Sequence, residues 1–159
     1  MITGLQNILD TELEKMIEYI KGDLFDAETD ALAHGCNTIG KMNAGIAKEF
    51  KKRFPEMYED YKARCRKGLF LPGKGYIFKN YKKPHIINLG TQCDEGASIY
   101  YVEKSLGWLY DSYKEIGLKD VAIPKIASGL GGLEWPDVEK VLKDYFYNSD
   151  LLIQVREKD

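Results

Sequence analysis

The sequence contains one arrangement twice: an apolar run typical of a buried strand, then a loop that carries glycines, then a helix-forming segment. In the first copy, the run Ala31–Cys36 leads into the loop 37–45. In the second copy, the run 121–125 leads into the loop 127–133, and a helix begins near Pro136. Strands that alternate with helices form a sheet with helices on both faces. The pattern therefore predicts an α/β sandwich.

The rest of the chain supplies further elements of both kinds. Hydrophobic side chains at steps of four and three predict a long helix over 100–116, with Gly117 as its C-cap. Residues 1–15 are predicted to form a helical extension, because Leu5, Ile8, Leu9 and Leu13 recur at helical spacing. Residues 16–159 are predicted to form one domain. The remaining predicted strands are 16–21, 75–79, 85–89 and 151–155, and the remaining predicted helices are 44–54 and a segment after Pro55.

Composition favours one ordinary globular domain. The chain has 159 residues, of which 44% are hydrophobic and 30% charged, and this length is typical of one compact domain. No apolar stretch is long enough to span a membrane, and the first residues lack the pattern of a secretory signal. A cytoplasmic monomer is the expectation. Cys36, Cys65 and Cys93 form no CxxC pair, and neither His34 nor His85 has a ligand at metal spacing, so no metal is expected.

The two glycine loops predict a phosphate site. A helix start carries unpaired N–H groups and about half a positive charge, and glycine lets the backbone approach a phosphate closely. In an open α/β sheet, ligands bind at the carboxyl ends of the strands, where both loops lie. Two converging loops suit a diphosphate, although the same glycines would also serve tight turns. The segment Gly68–Gly75 nearly matches a Walker A loop, but glycine stands where the magnesium-binding Ser or Thr is needed.

Four segments in order resemble the macro domain family of ADP-ribose-binding α/β/α modules. They are 22–25, 30–37, 42–47 and 124–135, and the resemblance extends from about Met16 to Arg156. Within the family, the chain is most similar to the branch of terminal ADP-ribose protein glycohydrolase, the DNA-ADP-ribosyl antitoxin and ADP-ribose-1″-phosphate phosphatases. The resemblance implies a three-layer α/β/α sandwich with a mixed, six-stranded central sheet, and no cofactor.

The resemblance also implies roles for individual residues. Asp23 would accept a hydrogen bond from the adenine amino group, the first loop would surround the distal ribose, and the second loop would wrap the diphosphate. The implied ligand-binding residues are Asp23, Leu24, Asn37, Met42, Asn43, Ala44, Gly45, Ile46, Ala47, Thr91, Gln92, Ala127, Ser128, Gly129, Leu130, Gly131, Gly132, Leu133 and Arg156.

Two departures from the family pattern bear on catalysis. Gln92 stands where the glycohydrolase has a lysine that forms a covalent adduct with the ribose, and Gly131 stands where it has an assisting aspartate. Glutamine cannot form a Schiff base, so the lysine mechanism is not expected here. Hydrolysis by an oriented water remains, with His34, Asn37 and Gln92 as the candidate catalytic residues. The loop carboxylates Asp94 and Glu95 are further candidates, and Lys125 is expected to pair at the surface.

Two classes of function follow from these residues. The first is a hydrolase that removes ADP-ribose from acyl-type conjugates, such as carboxylate esters or O-acetyl-ADP-ribose, or acts as an ADP-ribose-1″-phosphate phosphatase. The second is a reader that binds ADP-ribose, or an ADP-ribosylated protein or small molecule, without turnover. The basic residues of 48–67 are either a solvated face or a track for ADP-ribosylated nucleic acid. The hydrolase is favoured.

Overall fold

The computed structural model describes Gly4 and residues 17–158. The predicted helix over 1–15 therefore lies outside the described residues, apart from Gly4. The described elements follow the order strand β1 (Ile17–Lys21), β2 (Ala31–Cys36), helix α1 (Gly45–Arg53), α2 (Pro55–Arg66), β3 (Gly75–Phe78), β4 (His85–Gly90), β5 (Gln92–Cys93), β6 (Gly96–Ala97), α3 (Ile99–Ile116), β7 (Asp120–Ile123), α4 (Trp135–Phe146) and β8 (Leu152–Glu157). A single turn of 3-10 helix, Leu24–Asp26, follows β1.

Six of the strands form one mixed sheet in the order β1-β8-β7-β2-β4-β3. All neighbouring pairs are parallel except β3 and β4, which are antiparallel. The predicted six-stranded mixed sheet is thereby confirmed. Because β1, β2, β4, β7 and β8 run in the same direction, the loops after β2, β4 and β7 leave the sheet at one edge.

The sheet separates two hydrophobic cores, which gives the three predicted layers. Along β2, alternate residues face opposite sides, as the two-residue repeat of a strand requires. Ala31 and Ala33 face the core covered by α3 and α4, whereas Leu32 and Cys36 face the core covered by α1 and α2. His34 has the same parity as Leu32 and Cys36, so its ring also points toward α1 and α2.

Local signals set the limits of the helices that border the functional edge. The side chain of Ser98 accepts a hydrogen bond from the N–H of Tyr100 and starts α3, and Gly117 ends it in the left-handed region at φ 89°. Prediction placed the start of α4 near Pro136, and the helix begins at Trp135, with Pro136 in its first turn. The short hairpin of β5 and β6 was not predicted, because strands of two residues carry no periodic signal.

Candidate functional site

The two glycine loops face each other across an open cleft at the carboxyl edge of the sheet. This cleft, here called the loop cleft, has a volume of about 490 Å³. A second cavity of about 490 Å³, here called the Asp23 cleft, continues from it, because Gly45, Ile46, Pro124 and Lys125 line both. The two together form an elongated groove that runs from Asp23, after β1, to Gln92, after β4.

Most of the residues predicted to bind a ligand lie on the wall of this groove. They are Asp23, Leu24, Asn37, Asn43, Ala44, Gly45, Ile46, Ala47, Thr91, Gln92, Ala127, Gly129, Leu130, Gly131 and Arg156. The backbone order alone brings them together, since they come from the ends of β1, β2, β4, β7 and β8.

Four residues predicted to bind a ligand lie off the wall of both cavities. Met42 is 1% exposed and packs into the core beneath the first loop. The hydroxyl of Ser128 donates to the carbonyl of Ile126 at 3.0 Å, so it turns back onto the backbone. Gly132 turns the chain at φ 85°, and Leu133 packs against the core of α3 and α4. For Met42, Ser128 and Leu133 the direction of the side chain, which loop spacing does not specify, decided the outcome.

In the first loop, the start of α1 is open to the groove. The residue before the helix, Ala44, has no side-chain capping hydrogen bond, and Gly45 begins the helix at φ 58°. Gly45, Ile46 and Ala47 all line the loop cleft. Uncapped N–H groups at a helix start, together with the helix dipole, favour an anion. This part of the predicted phosphate site has the expected geometry.

Asn37 braces the first loop with its own side chain. Its carboxamide nitrogen donates to the carbonyl of Lys41 at 2.8 Å, and its carboxamide oxygen accepts from the N–H of Ile39 at 3.2 Å. The hydroxyl of Tyr61 donates to the same oxygen at 2.5 Å. Both polar atoms of Asn37 are therefore engaged within the protein. This arrangement gives Asn37 a positioning role, and its direct catalytic role stays a prediction.

The second loop presents backbone rather than a helix start. Ala127, Gly129, Leu130 and Gly131 line the loop cleft, whereas α4 begins only at Trp135 and none of its residues do. The prediction that a helix start supplies this half of the site is therefore wrong, because three residues separate Gly131 from α4. The backbone of the loop itself borders the groove instead, and loop backbones of this kind bind anions in other proteins.

The second loop holds one unusual backbone conformation. Ala127 has a φ of 60°, a left-handed value that is uncommon for a residue with a side chain. Its carbonyl accepts from the N–H of Leu133 at 2.9 Å, which closes the loop. Gly131 lies so close that an added Cβ would stand 2.6 Å from that same carbonyl oxygen. Such outliers persist only where the surroundings impose them, and they concentrate at ligand sites.

Asp23 and Arg156 lie side by side in the Asp23 cleft because β1 and β8 are paired. The carboxylate of Asp23 accepts from the N–H of Phe25 at 3.0 Å and lies 3.3 Å from the ammonium of Lys158. The N–H of Phe25 holds the pKa of Asp23 below its ordinary value, so the side chain is a hydrogen-bond acceptor at neutral pH. The guanidinium of Arg156 donates to the carbonyl of Asp23 at 3.3 Å.

The other end of the groove carries polar side chains from two loops. Gln92 opens the β5–β6 hairpin, and Lys41 and Asn43 reach the wall from the first loop. The hairpin touches the second loop, since the N–H of Ala97 donates to the carbonyl of Gly131 at 3.4 Å. Asp94 and Glu95 occupy the exposed hairpin turn and do not line the groove, so the structure does not support their role as water-activating bases.

Lys125 and Lys41 are two lysines of the groove that were not predicted to bind a ligand. Lys125 pairs with Glu157 at 2.9 Å, as expected, and also lines both cavities. Lys41 lies within the first glycine loop, and its place in that loop was the signal that could have identified it. Among the described residues, no carboxylate lies within salt-bridge distance of its ammonium.

His34 lies in the core behind the groove. The side chain is fully buried, its ring stacks on Phe50 with 3.8 Å between centroids, and Nε2 lies 2.7 Å from the Oδ1 of Asn88. Burial lowers the pKa of His34 to about 4, so the ring is neutral at pH 7 and Nε2 donates to Asn88. The prediction of His34 as an acid–base catalyst is not supported, because its ring has no access to the groove.

The buried imidazole predicts a specific loss of stability in acid. In the unfolded chain His34 has its ordinary pKa of 6.5, against about 4 in the folded protein. As the pH falls from 7 to 4, the unfolded chain gains this proton and the folded chain does not. The free energy of unfolding should therefore fall by roughly 3 kcal/mol through this residue alone.

Urea unfolding between pH 4 and pH 7 measures this contribution. His34→Gln is expected to show a shallower pH dependence than the wild type over this window. An equal slope in the wild type and His34→Gln would contradict the assignment.

Two kinds of feature are absent from the part of the chain that the structure describes. Over Gly4 and residues 17–158, no helix is both long and apolar enough to cross a membrane. Within the same residues, no three His, Cys, Asp or Glu side chains come together as metal ligands would.

Comparisons with known proteins agree with this geometry. A family profile described as Macro domain matches residues 33–142. A DNA ADP-ribosyl glycohydrolase of Mycobacterium tuberculosis is 37% identical over 136 residues, which cover 82% of this chain and 39% of that protein. An ADP-ribose 1″-phosphate phosphatase of Candida albicans is 32% identical over 146 residues, which cover 82% of this chain and 94% of that protein.

Among solved structures, the macrodomain of Mycobacterium tuberculosis DarG superposes with a TM-score of 0.85 at 33% identity. The match covers 90% of this chain and 98% of that one. The chain thus spans about two fifths of the length of the glycohydrolase relatives, which corresponds to their macrodomain.

Proposed function

The chain belongs to the macro domain family, and on this premise we propose that it is a hydrolase that binds ADP-ribose in the groove and releases it from a conjugate. The observation that carries the proposal is the continuous groove itself. At one end Asp23 offers a carboxylate, in the middle two loops offer backbone amides, and at the other end Gln92, Asn43 and Lys41 converge. From the Asp23 end to the Gln92 end, these groups would face the adenine, the diphosphate and the distal ribose in that order.

Each part of the ligand would meet complementary chemistry. The exocyclic amine of adenine is a donor, and the carboxylate of Asp23 is an acceptor. The ring of Phe25, which also lines the Asp23 cleft, carries the guanidinium of Arg53 at 4.4 Å from its centroid. The diphosphate would lie between the start of α1 and the backbone of the loop at Gly131, where N–H groups and the helix dipole favour negative charge.

The reaction would proceed by direct attack of water. The oxygen of water bonds to the reacting carbon, the bond from that carbon to the leaving atom breaks, and the proton released by water passes to the leaving group. The carboxamide of Gln92 can both accept from and donate to that water. The ammonium of Lys41 would stabilise negative charge as it develops on the leaving side. No covalent adduct with the enzyme is required.

Two kinds of conjugate are candidates. ADP-ribosylated DNA is favoured by the likeness to proteins named DNA ADP-ribosyl glycohydrolase. Acyl conjugates, such as carboxylate esters and O-acetyl-ADP-ribose, are favoured by Gln92, because an ester is cleaved by water without a nucleophilic lysine. Of the two we favour DNA. The likeness to ADP-ribose 1″-phosphate phosphatases makes the 1″-phosphate a third compound to assay.

A substrate panel tests the proposal directly. The wild-type protein would be incubated with an ADP-ribosylated oligonucleotide, glutamate-linked ADP-ribosyl protein, O-acetyl-ADP-ribose and ADP-ribose-1″-phosphate, and release would be followed by chromatography. We expect turnover of the oligonucleotide to be the fastest. Binding of free ADP-ribose by calorimetry without turnover of any of the four would overturn the hydrolase and leave a reader.

The variant Gln92→Ala tests whether Gln92 positions the attacking water. We expect kcat on the preferred substrate to fall by about 10- to 100-fold, the range of one lost hydrogen bond of about 1–3 kcal/mol. The Kd for free ADP-ribose should change much less than kcat, because the hydrogen bond to the attacking water is made only during turnover. The double variant Asp94→Asn with Glu95→Gln, on the exposed turn of the same hairpin, is the control and should keep full activity. Unchanged kcat in Gln92→Ala would remove Gln92 from the mechanism.

A further inference from the structure

The positive charge of the chain is concentrated in one segment that borders the groove. Between residues 41 and 67 there are nine Lys and Arg against four Asp and Glu, a net charge of +5. The whole chain carries −2, so the remainder carries −7. The segment begins at Lys41 on the wall of the loop cleft and continues through α1 and α2. A protein with nearly balanced charge thus presents one strongly basic side.

Within this segment several cations lie together without carboxylate partners. Arg53, Lys62 and Arg64 pair with acidic side chains on their own helices. Among the described residues, no carboxylate lies within salt-bridge distance of Lys48, Lys51 or Lys52. We call the outward side of α1 that carries these three lysines the basic surface.

Contacts link the basic surface to the first glycine loop. The ammonium of Lys51 lies 4.6 Å, and that of Lys62 5.0 Å, from the centroid of the Tyr58 ring. The hydroxyl of Tyr58 donates to the carbonyl of Gly40 at 3.3 Å, and Lys41 follows in the chain. Tyr58 thus connects Lys51 of the basic surface with the loop residue that precedes Lys41. The basic surface therefore continues from the reacting end of the groove.

We propose that the basic surface binds the phosphate backbone of the nucleic-acid strand that carries the ADP-ribose, and holds that strand where it leaves the groove. The inference rests on the proposed hydrolase and names its substrate-binding surface. The occupant is a nucleic acid because a polyanion with closely spaced phosphates matches several lysines on one side of a helix, where Lys48, Lys51 and Lys52 stand at positions i, i+3 and i+4.

Exposed apolar side chains of the two glycine loops suit the same occupant. Ile39 from the first loop is 47% exposed, and Leu130 from the second loop is 82% exposed. They offer apolar contact to an unpaired base whose ADP-ribose enters the groove between the two loops. A positively charged surface that follows the backbone is a usual means of holding a single strand.

The triple variant Lys48→Gln/Lys51→Gln/Lys52→Gln tests the surface. We expect kcat/KM on an ADP-ribosylated oligonucleotide of about ten nucleotides to fall by more than about tenfold at low salt. The slope of log kcat/KM against log salt should decrease by about 2, since fewer counterions are released on binding. Turnover of the corresponding ADP-ribosylated mononucleoside, and the Kd for free ADP-ribose, should change by less than about twofold.

A matched control variant distinguishes the effect of the charge on the basic surface from the effect of the net charge of the whole protein. Lys114→Gln/Lys140→Gln/Lys143→Gln removes the same three charges from α3 and α4, on the opposite face of the sheet, and should behave as the wild type. Equal effects of the two triple variants would overturn the proposal, as would equal turnover and equal salt slopes for oligonucleotide and mononucleoside in the wild type. If the first triple variant lost turnover of an ADP-ribosylated acidic protein but not of the oligonucleotide, the basic surface would bind a protein partner instead. That result would also overturn the proposal.

Failure of the proposed hydrolase is a separate result. If no substrate is turned over, equilibrium affinity replaces kcat/KM as the measurement. In that case, we expect the wild-type protein to bind the ADP-ribosylated oligonucleotide with a Kd more than about tenfold below that for the mononucleoside. Loss of this difference in the first triple variant alone would support nucleic-acid binding by the basic surface even though the protein is not a hydrolase. Equal affinities would overturn it.

Discussion

Replacement of Gly131 by alanine is expected to weaken ADP-ribose binding by more than about 100-fold, roughly 3 kcal/mol, while the domain stays folded. An added Cβ would stand 2.6 Å from the carbonyl oxygen of Ala127 and 2.9 Å from its Cα. These are backbone atoms, and the carbonyl already accepts from Leu133. The loop must therefore change shape, and it loses the amides that we place around the diphosphate, each worth about 1.5–3 kcal/mol to a charged acceptor.

Gly129→Ala is the matched control within the same loop. No atom lies within 4 Å of the Cβ that this substitution would add, so binding should change by less than about threefold. Calorimetry with ADP-ribose measures both variants, and the far-UV circular dichroism of each checks the fold. Wild-type affinity in Gly131→Ala would mean that this loop does not enclose the diphosphate.

The variant Phe50→Ala is expected to lower the free energy of unfolding by about 3–5 kcal/mol, the usual cost of removing a buried aromatic ring. Phe50 is fully buried, stacks on His34, and contacts the Phe25 ring edge-on with 4.9 Å between centroids. For a domain of this size, the midpoint of thermal unfolding should fall by roughly 6–20 °C.

The same ring also connects the core with the groove, so the defect should extend to ligand binding. Phe50 fixes α1, whose first residues line the loop cleft, and Phe25, which lines the Asp23 cleft. Tyr81→Ala removes a fully exposed ring and should leave both the midpoint and the ADP-ribose affinity unchanged. A midpoint for Phe50→Ala within about 2 °C of the wild type would refute the assigned packing role.

Hydrophobic periodicity, together with the glycine and proline residues that end helices and strands, was sufficient to predict the main elements. The run Ala31–Cys36 is a strand with the predicted limits, and the long helix predicted over 100–116 begins one residue earlier and ends at Ile116. These features depend on hydrophobic spacing and on glycine at a helix end, which act within a few residues of the chain. The short hairpin at Gln92 carries no such local signal and depends on its contact with the second loop.

The direction of individual side chains was harder to predict. His34, proposed as a catalyst, shares the strand face of Leu32 and Cys36, and that face is buried by Phe50 from α1. Parity along the strand pointed to one face, but only the packing of a distant helix determined that this face is closed to solvent. Lys41 was missed for the converse reason, because its exposure to the groove depends on how Asn37 folds the loop.

By itself, the sequence determined the α/β class, the two glycine loops after buried strands and the family, since each follows from residues that are close in the chain. Tertiary structure alone decided which side chains meet. The pairing of β1 with β8 places Arg156 beside Asp23, although 132 residues separate them, and the start of α1 faces the backbone at Gly131. Such contacts between distant residues depend on strand order and on long-range packing, which short-range propensities do not specify.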